Sequence, residues 1–306
     1  MKRFLVTGAS GFIGRAVIAA FAADGHTVRA AVRRPPDPPL CGGIEIVQHT
    51  DLRQPVDWRP LVDGIDAVIH LAGLAHTRGA SEELYDCINR KATEDLALAA
   101  ARACVRRFVF VSSVRAQTGA SADHVITERD PALPTDGYGR SKLAAEASVR
   151  AAGVPFTTLR PVVVYGPGVK GNLRWLMRAA ASPLPLPVKG FTNRRSLLGI
   201  DNLLSALRFV LASPAAAGEI YLVADPGVAP TIAETVAALR RAKKRPVGLW
   251  RMPPDCIRIL LRILQKDDFW RIIAGELQVD PAKLLAAGWR PNHESLPGLA
   301  MMLKTI

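Results

Sequence analysis

With 306 residues, of which 49% are hydrophobic, the chain is long enough to bury a large core, which excludes a disordered or fibrous protein and allows one large α/β domain or two moderate ones. Lys and Arg number 40 against 27 Asp and Glu, giving a formal net charge of +13, which suits a phosphate-rich ligand, a nucleic acid or an anionic membrane alike. The arginines are dispersed instead of interleaved with aromatics, so nucleic acid is not expected as a partner. Cys41, Cys87, Cys104 and Cys256 stand too far apart for a disulfide framework or a structural zinc, and no metal site is expected.

In chain order, MKRFLVTGASGFIG has a basic, apolar start, but glycines break it and nothing resembles a cleavage site. It reads as a first strand, Arg3 to Thr7, running into a turn. Further strands are expected at Thr27 to Val32, Ile44 to Gln48, Ala67 to Leu71, Arg107 to Ser112 and Phe156 to Leu159. Each is short, apolar and bounded by Gly, Asp or Pro, as strands buried on both faces are. Ile13, Val17 and Phe21, then Leu96 and Ala100, recur at helical spacing between them. The pattern predicts an α/β fold, a doubly wound parallel Rossmann sheet.

After Pro161 the texture loosens through Gly166, Pro167, Gly168, Gly171, Pro183, Pro185 and Pro187. A helix is expected after Asp201, a strand near Glu219 to Val223, and a helix opened by Thr231 with Glu234 at capping-box spacing. The division that follows is a dinucleotide-binding domain over 1–165, with 195–215 returning to it, and a smaller interwoven lobe over 166–194 and 216–306. Ile257 to Ile273 reads as a basic amphipathic helix, which packs its apolar side on the lobe or lies on a membrane surface. No stretch reaches the ~18 uninterrupted apolar residues of a membrane span, so the chain is expected to be cytoplasmic.

Gly8, Gly11 and Gly14 form G-x-x-G-x-x-G between the first strand and a helix beginning near Ile13. Such a turn lets the backbone approach a pyrophosphate, and the helix N-terminus offers unpaired N–H groups to it. At the end of the second strand an acid would accept from a free ribose 2′-hydroxyl, whereas arginine suits a 2′-phosphate. Arg33 and Arg34 stand there, with no acid before Asp37. NADP(H) is therefore favoured over NAD(H). Asp51, beyond the third strand, is either an acceptor for the adenine amino group or an ordinary loop aspartate.

Tyr138 and Lys142 in YGRSK share one face of a helix running from Tyr138 to Val149, which puts an ammonium near a phenol and favours its ionised form. Ser113 ends the fifth strand, at the sheet edge where ligands of open parallel sheets bind, and can hydrogen-bond the oxygen that the tyrosine serves.

These features, with HLAG (70–73), Asn89 followed by Ala92-Thr93, FVFVSS (108–113), LRPVVVYGPG (159–168), RRSLLGIDNL (194–203) and VDPAKLLAAGW (279–289), make the chain similar over its length to the extended short-chain dehydrogenase/reductases of the nucleotide-sugar epimerase, dehydratase and reductase group. The resemblance implies that Tyr138 exchanges a proton with the oxygen at sugar C4, that Lys142 holds the nicotinamide ribose, and that Ser113 orients the oxygen. It implies a dinucleotide held by Gly8, Gly11, Phe12, Ile13, Gly14, Arg33, Arg34, Asp51, Leu52, Leu71, Ala72, Gly73, Lys142 and Pro161. It also implies a UDP-linked sugar held by Ser113, Arg115, Tyr138, Asn172, Arg195 and Arg271, with a homodimer as the candidate assembly.

Three departures stand out, of which the first bears on stacking or gating, the second on the sugar contacts, and the third is expected to change little. The loop after Ser113 reads VRAQTG where relatives often place a tyrosine, Val163 replaces a frequent asparagine, and Ala92 replaces a glycine. Dehydratases of the group carry an acid/base pair directly after the Ser/Thr, and Val114 and Arg115 supply neither, so dehydration is disfavoured. The expected reaction is reduction of a UDP-2-acetamido-4-keto-2,6-dideoxyhexose in polysaccharide synthesis, with UDP-sugar 4-epimerisation as the alternative. A silent dinucleotide sensor is remote, because such relatives typically lack the Tyr/Lys pair.

Overall fold

Alternation along the strands sets the architecture. In β1 (Arg3–Thr7) Phe4 and Val6 face one hydrophobic cluster and Leu5 faces another, and in β5 (Arg107–Val111) Val109 and Val111 part from Phe108 and Phe110 in the same way. A sheet apolar on both faces needs helices on both. The computed structural model, which describes residues 1–35, 43–75, 79–169, 171–263, 270 and 274–302 apart from the side chains of 171, 172, 175, 254, 260 and 261, supplies them.

The central sheet has seven parallel strands in the order β10-β7-β5-β4-β1-β2-β3, where β2 is Thr27–Val32, β3 Glu45–Gln48, β4 Ala67–His70, β7 Phe156–Pro161 and β10 Ile220–Val223. The order reverses between β1 and β4, which makes the crevice beyond their carboxyl ends the ligand position. Helix α1 (Phe12–Ala23) packs Val17, Ile18 and Phe21 on one face, together with Leu203 and Leu207 of α7 (Ile200–Ala212). Leu96 and Ala100 of α4 (Ala92–Arg102) and Ala145 and Val149 of α5 (Gly137–Ala151) cover the other. Truncating a leucine such as Leu96 to alanine would cost about 2–5 kcal/mol.

Two expectations need correction. β3 is not buried on both faces: it is the sheet edge, pairs only with β2, and leaves Ile46 45% exposed. The strand near 219–223 does not belong to the lobe: β10 pairs with β7 in the main sheet, Ile220 opposite Thr158, because α7 returns the chain to the sheet as one more crossover to a parallel strand.

Beyond the sheet lie two short parallel pairs, β6 (Val125–Ile126) with β11 (Gln278–Val279) and β8 (Val163–Tyr165) with β9 (Leu197–Gly199). Helix α6 (Gly171–Ala181) packs on α8 (Ile232–Ala242). Thr231 and Glu234 form the reciprocal capping box at the start of α8, with bonds of 3.1 and 2.8 Å. Of the amphipathic stretch, Pro254–Ile263 is helical. Its Ile257 is buried beside Phe191, while Ile259 and Ile263 are exposed; 264–269 and 271–273 lie outside the described residues. No helix among the described residues is long and apolar enough to cross a membrane.

Candidate active site

The glycine turn closes because each glycine meets backbone. Gly8 has φ +67° and a Cβ there would come 2.8 Å from the Ala72 amide, while a Cβ on Gly14 would strike the Gly8 carbonyl. Gly11 donates to the Gly8 carbonyl at 2.9 Å and caps α1 without a side chain, so the first amides of the helix have no side-chain acceptor. The turn is tied to the end of β4 by Thr7, whose Oγ1 accepts from Leu71 and Ala72 amides at 3.2 Å each.

Beneath it His70 is fully enclosed, 2.6 Å from Thr7 Oγ1 through Nδ1 and 2.8 Å from Thr93 Oγ1 through Nε2. Thr93 gives its hydroxyl proton to the Asn89 carbonyl at 2.5 Å, so the network assigns the Nε2–H tautomer to His70, with Nδ1 accepting from Thr7. Burial, with Lys142 next, pulls its pKa down to about 3, so it is a neutral structural link.

At the end of β2, Arg33 and Arg34 open onto a cavity of ≈ 640 Å³ shared with Ser10, Arg15, Asp51 and Arg53. Asp51 accepts from Arg33 at 3.3 Å and from Arg53 at 3.0 and 3.2 Å, and the Arg53 hydrogen bonds hold its carboxyl at about 2. Its demonstrated partners are thus two arginines. Sequence reasoning missed Arg15 and Arg53, which come from the first turn of α1 and the loop after β3. Phe12 and Ile13 sit in that first turn, Leu52 is buried in the core cluster with Leu5 and Trp58, and Gly73 and Pro161 follow or end β4 and β7. Asp37 lies outside the described residues.

Ser113, Tyr138 and Lys142 come together where β5 meets α5. Asp136 starts the helix, its carboxylate accepting from the Gly139 amide at 2.7 Å. Tyr138 is 9% exposed and hydrogen-bonded to the Ser113 side chain. Burial pushes the phenol up to about 12; the Ser113 bond and Arg115 act against the rise, while Asp136 and Tyr85 add to it. Lys142, 4% exposed, donates to the Val111 carbonyl at 3.1 Å and lies 4.5 Å over the Phe110 ring. Burial lowers its pKa to about 8, against the pull of Glu146. A Cβ on Gly73 would stand 3.6 Å from its Nζ, which brings the HLAG turn to the lysine.

Asn89, quoted in the sequence without a role, lies in the π-helical turn Asp86–Lys91. It accepts from the Leu74 amide at 2.7 Å and donates to the Leu74 carbonyl at 3.0 Å and to Ser141 Oγ at 2.9 Å, clamping the HLAG loop to α5. The extra residue of the π turn gives no periodicity to read.

Among the expected sugar contacts, Arg195 is half-buried and donates to the Gly275 and Ala120 carbonyls at 2.7 and 3.1 Å; desolvation, then Arg115, brings its pKa down to about 10. Arg115 pairs with Asp136, and its Nε is buried without a partner among the described residues. Val163 is 47% exposed. Asn172 stands in α6 with its side chain outside the described residues, as is Arg271 altogether.

Residues 4–224 match the model of the NAD dependent epimerase/dehydratase family. The chain belongs to that family. It is an enzyme of the extended short-chain dehydrogenase/reductase type. UDP-glucose 4-epimerase of Vibrio cholerae is 31% identical over 302 residues, 95% of this chain and 91% of that protein. The undecaprenol-linked N-acetylglucosaminyl 4-epimerase of Escherichia coli O157:H7 is 28% identical over 72% of the chain and 66% of that protein. Among solved structures, MoeE5 in complex with UDP-glucuronic acid and NAD superposes with a TM-score of 0.77 at 25% identity, covering 99% of this chain and 98% of that one.

Proposed function

We infer that this member of the family catalyses hydride exchange at C4 of a UDP-linked sugar, with interconversion of C4 epimers as the leading reaction. The observation that carries the reading is the meeting of Ser113, Tyr138 and Lys142 at the crevice edge beside the glycine turn, in a chain similar to a UDP-glucose 4-epimerase over nearly its whole length. The glycine cradle fits a dinucleotide: side chains are excluded from the backbone at Gly8 and Gly14, and the N-terminus of α1 stands ready for a pyrophosphate. When bound, the nicotinamide supplies the hydride acceptor and donor. Tyr138 takes the proton of the C4 hydroxyl and returns it, Ser113 orients that oxygen, and Lys142 holds the nicotinamide ribose; the expected lowering of the phenol pKa by Lys142 is corrected, since burial raises it and the opposing influences are Ser113 and Arg115. Arg195 holds the diphosphate, for which a guanidinium is suited.

A second reading, single reduction of a 4-keto sugar with release of the spent cofactor, draws on the four arginines of the adenosine pocket, which suit the 2′-phosphate of NADPH. The two are separated by product. An epimerase converts UDP-galactose or UDP-N-acetylgalactosamine to its C4 epimer without net loss of reduced-nicotinamide absorbance. A reductase consumes NADPH one-to-one with a UDP-linked 4-keto-6-deoxy amino sugar. Failure of both reactions overturns the inference.

A further inference from the structure

Tyr138 is enclosed by a ring of contacts that its own helix does not close. From the turn after β5, the Arg115 amide donates to Ser113 Oγ at 3.1 Å, while its guanidinium pairs with the Asp136 carboxylate. Asp136 in turn accepts from the amide of Gly139, the residue after the tyrosine, at 2.7 Å. The ring is completed by backbone: a Cβ on Gly139 would strike the Arg115 carbonyl, so α5 is pressed against the turn. The Arg115 side chain is 16% exposed, a level at which a charge acts on its neighbours with little screening.

We propose that Arg115 is a positioning residue for the catalytic tyrosine, holding Ser113 and the start of α5 in register through Asp136 and supplying, with that carboxylate, the charge balance beside the phenol. The inference rests on Tyr138 being the proton-transfer group. It gives Arg115 a task at the reacting oxygen distinct from gripping the sugar nucleotide. The charges acting on the phenol are Arg115 from the turn and Asp136 from the cap of α5, with the Tyr85 ring of Glu82–Tyr85 at 6.1 Å between ring centroids. Of the other charges on the packed elements, Glu82 pairs with Arg140, Asp86 and Glu94 with Arg90, Lys91 with Asp95, and Glu146 with Arg160, while Glu83 is hydrogen-bonded to Ser81. Arg115 favours the phenolate and Asp136 opposes it, so their removal must act in opposite directions.

The test follows tyrosinate absorbance of the dinucleotide-saturated protein against pH, with Tyr138→Phe protein as the blank, beside the pH profile of turnover. Arg115→Gln is expected to move the Tyr138 titration up by roughly one pH unit, Asp136→Asn, which keeps a capping side chain, to move it down by a similar amount, and Arg115→Lys to leave it close to wild type. A merely structural role would not give shifts of opposite sign. If Arg115→Gln raises KM for the sugar nucleotide and leaves the titration in place, Arg115 is a substrate contact and the proposal fails. Shifts of the same sign in both variants overturn it as well. The absorbance titration stands even where turnover is absent, so loss of the functional reading and loss of this inference are told apart; thermal melting and dinucleotide binding confirm that each variant is folded.

Discussion

The two ends of the crevice handle charge in opposite ways. At the catalytic end Tyr138 and Lys142 are 9% and 4% exposed, and burial moves their pKa values to about 12 and about 8. At the adenosine end Arg33 and Arg53 keep 66% and 63% of their side chains in solvent and share one aspartate. Buried groups act strongly and are insulated from salt, whereas the field of the exposed arginines is screened by salt within about 10 Å. Under the proposed function, chemistry belongs to the protected end and cofactor choice to the open one, and each is expected to change without the other.

The largest effect tests the protected end. Tyr138→Phe removes one buried oxygen and no charge, and turnover should fall by roughly 10³-fold or more while dinucleotide binding, followed by fluorescence, survives. Next is the support behind Lys142. Glu146 accepts from Ser112 at 2.5 Å and from Arg160 at 2.5 to 3.2 Å, all buried. Arg160→Met leaves that carboxylate unpaired and should cost about 3–5 kcal/mol in urea unfolding, whereas adding Glu146→Leu should recover much of the loss.

His70 gives the same contrast as a pH dependence. Its folded pKa of about 3 lies below the ordinary imidazole value of 6.5, so the unfolded chain binds the extra proton between them. Its contribution to stability is complete above 6.5 and is lost as pH falls towards 3, with a slope approaching about 1.4 kcal/mol per pH unit. Stability curves for wild type and His70→Gln should converge on acidification; parallel curves would show that His70 is charged in the folded protein.

At the open end, Arg33→Asp with Arg34→Ala should swing preference from NADPH towards NADH by about 10- to 100-fold, and the wild-type preference should shrink in high salt. A wild-type preference for NADH would mean that the arginines serve solvent. The smallest effect is Asp51→Asn, which frees Arg33 and Arg53 from their carboxylate and should strengthen NADPH binding a few-fold in the same titration.

The regular part of this arrangement was legible because buried parallel strands leave uninterrupted apolar runs and the glycine turn has few alternatives sterically. Arg3–Thr7 and Thr27–Val32 match the expected strands residue for residue. β3 was misjudged because an edge strand in a βαβ series carries the same Ile and Val as its buried neighbours, and β10 because the loose stretch after Pro161 hides the crossover that follows. Tyr138 and Lys142 announce themselves by spacing. Arg15, Arg53, Asn89 and the Arg115–Asp136 pair do not, since each acts across a tertiary contact between segments with no common period.

The central claim is that hydride leaves and returns at C4 while Tyr138 handles the oxygen. UDP-galactose and UDP-N-acetylgalactosamine carrying deuterium at C4 test it most directly, with products read by mass and NMR. The account predicts the C4 epimer with deuterium still on C4 from the wild-type protein and roughly 10³-fold less of it, or lower, from Tyr138→Phe. Loss of the label to solvent, absence of any epimer, or equal product from the Tyr138→Phe protein would contradict it.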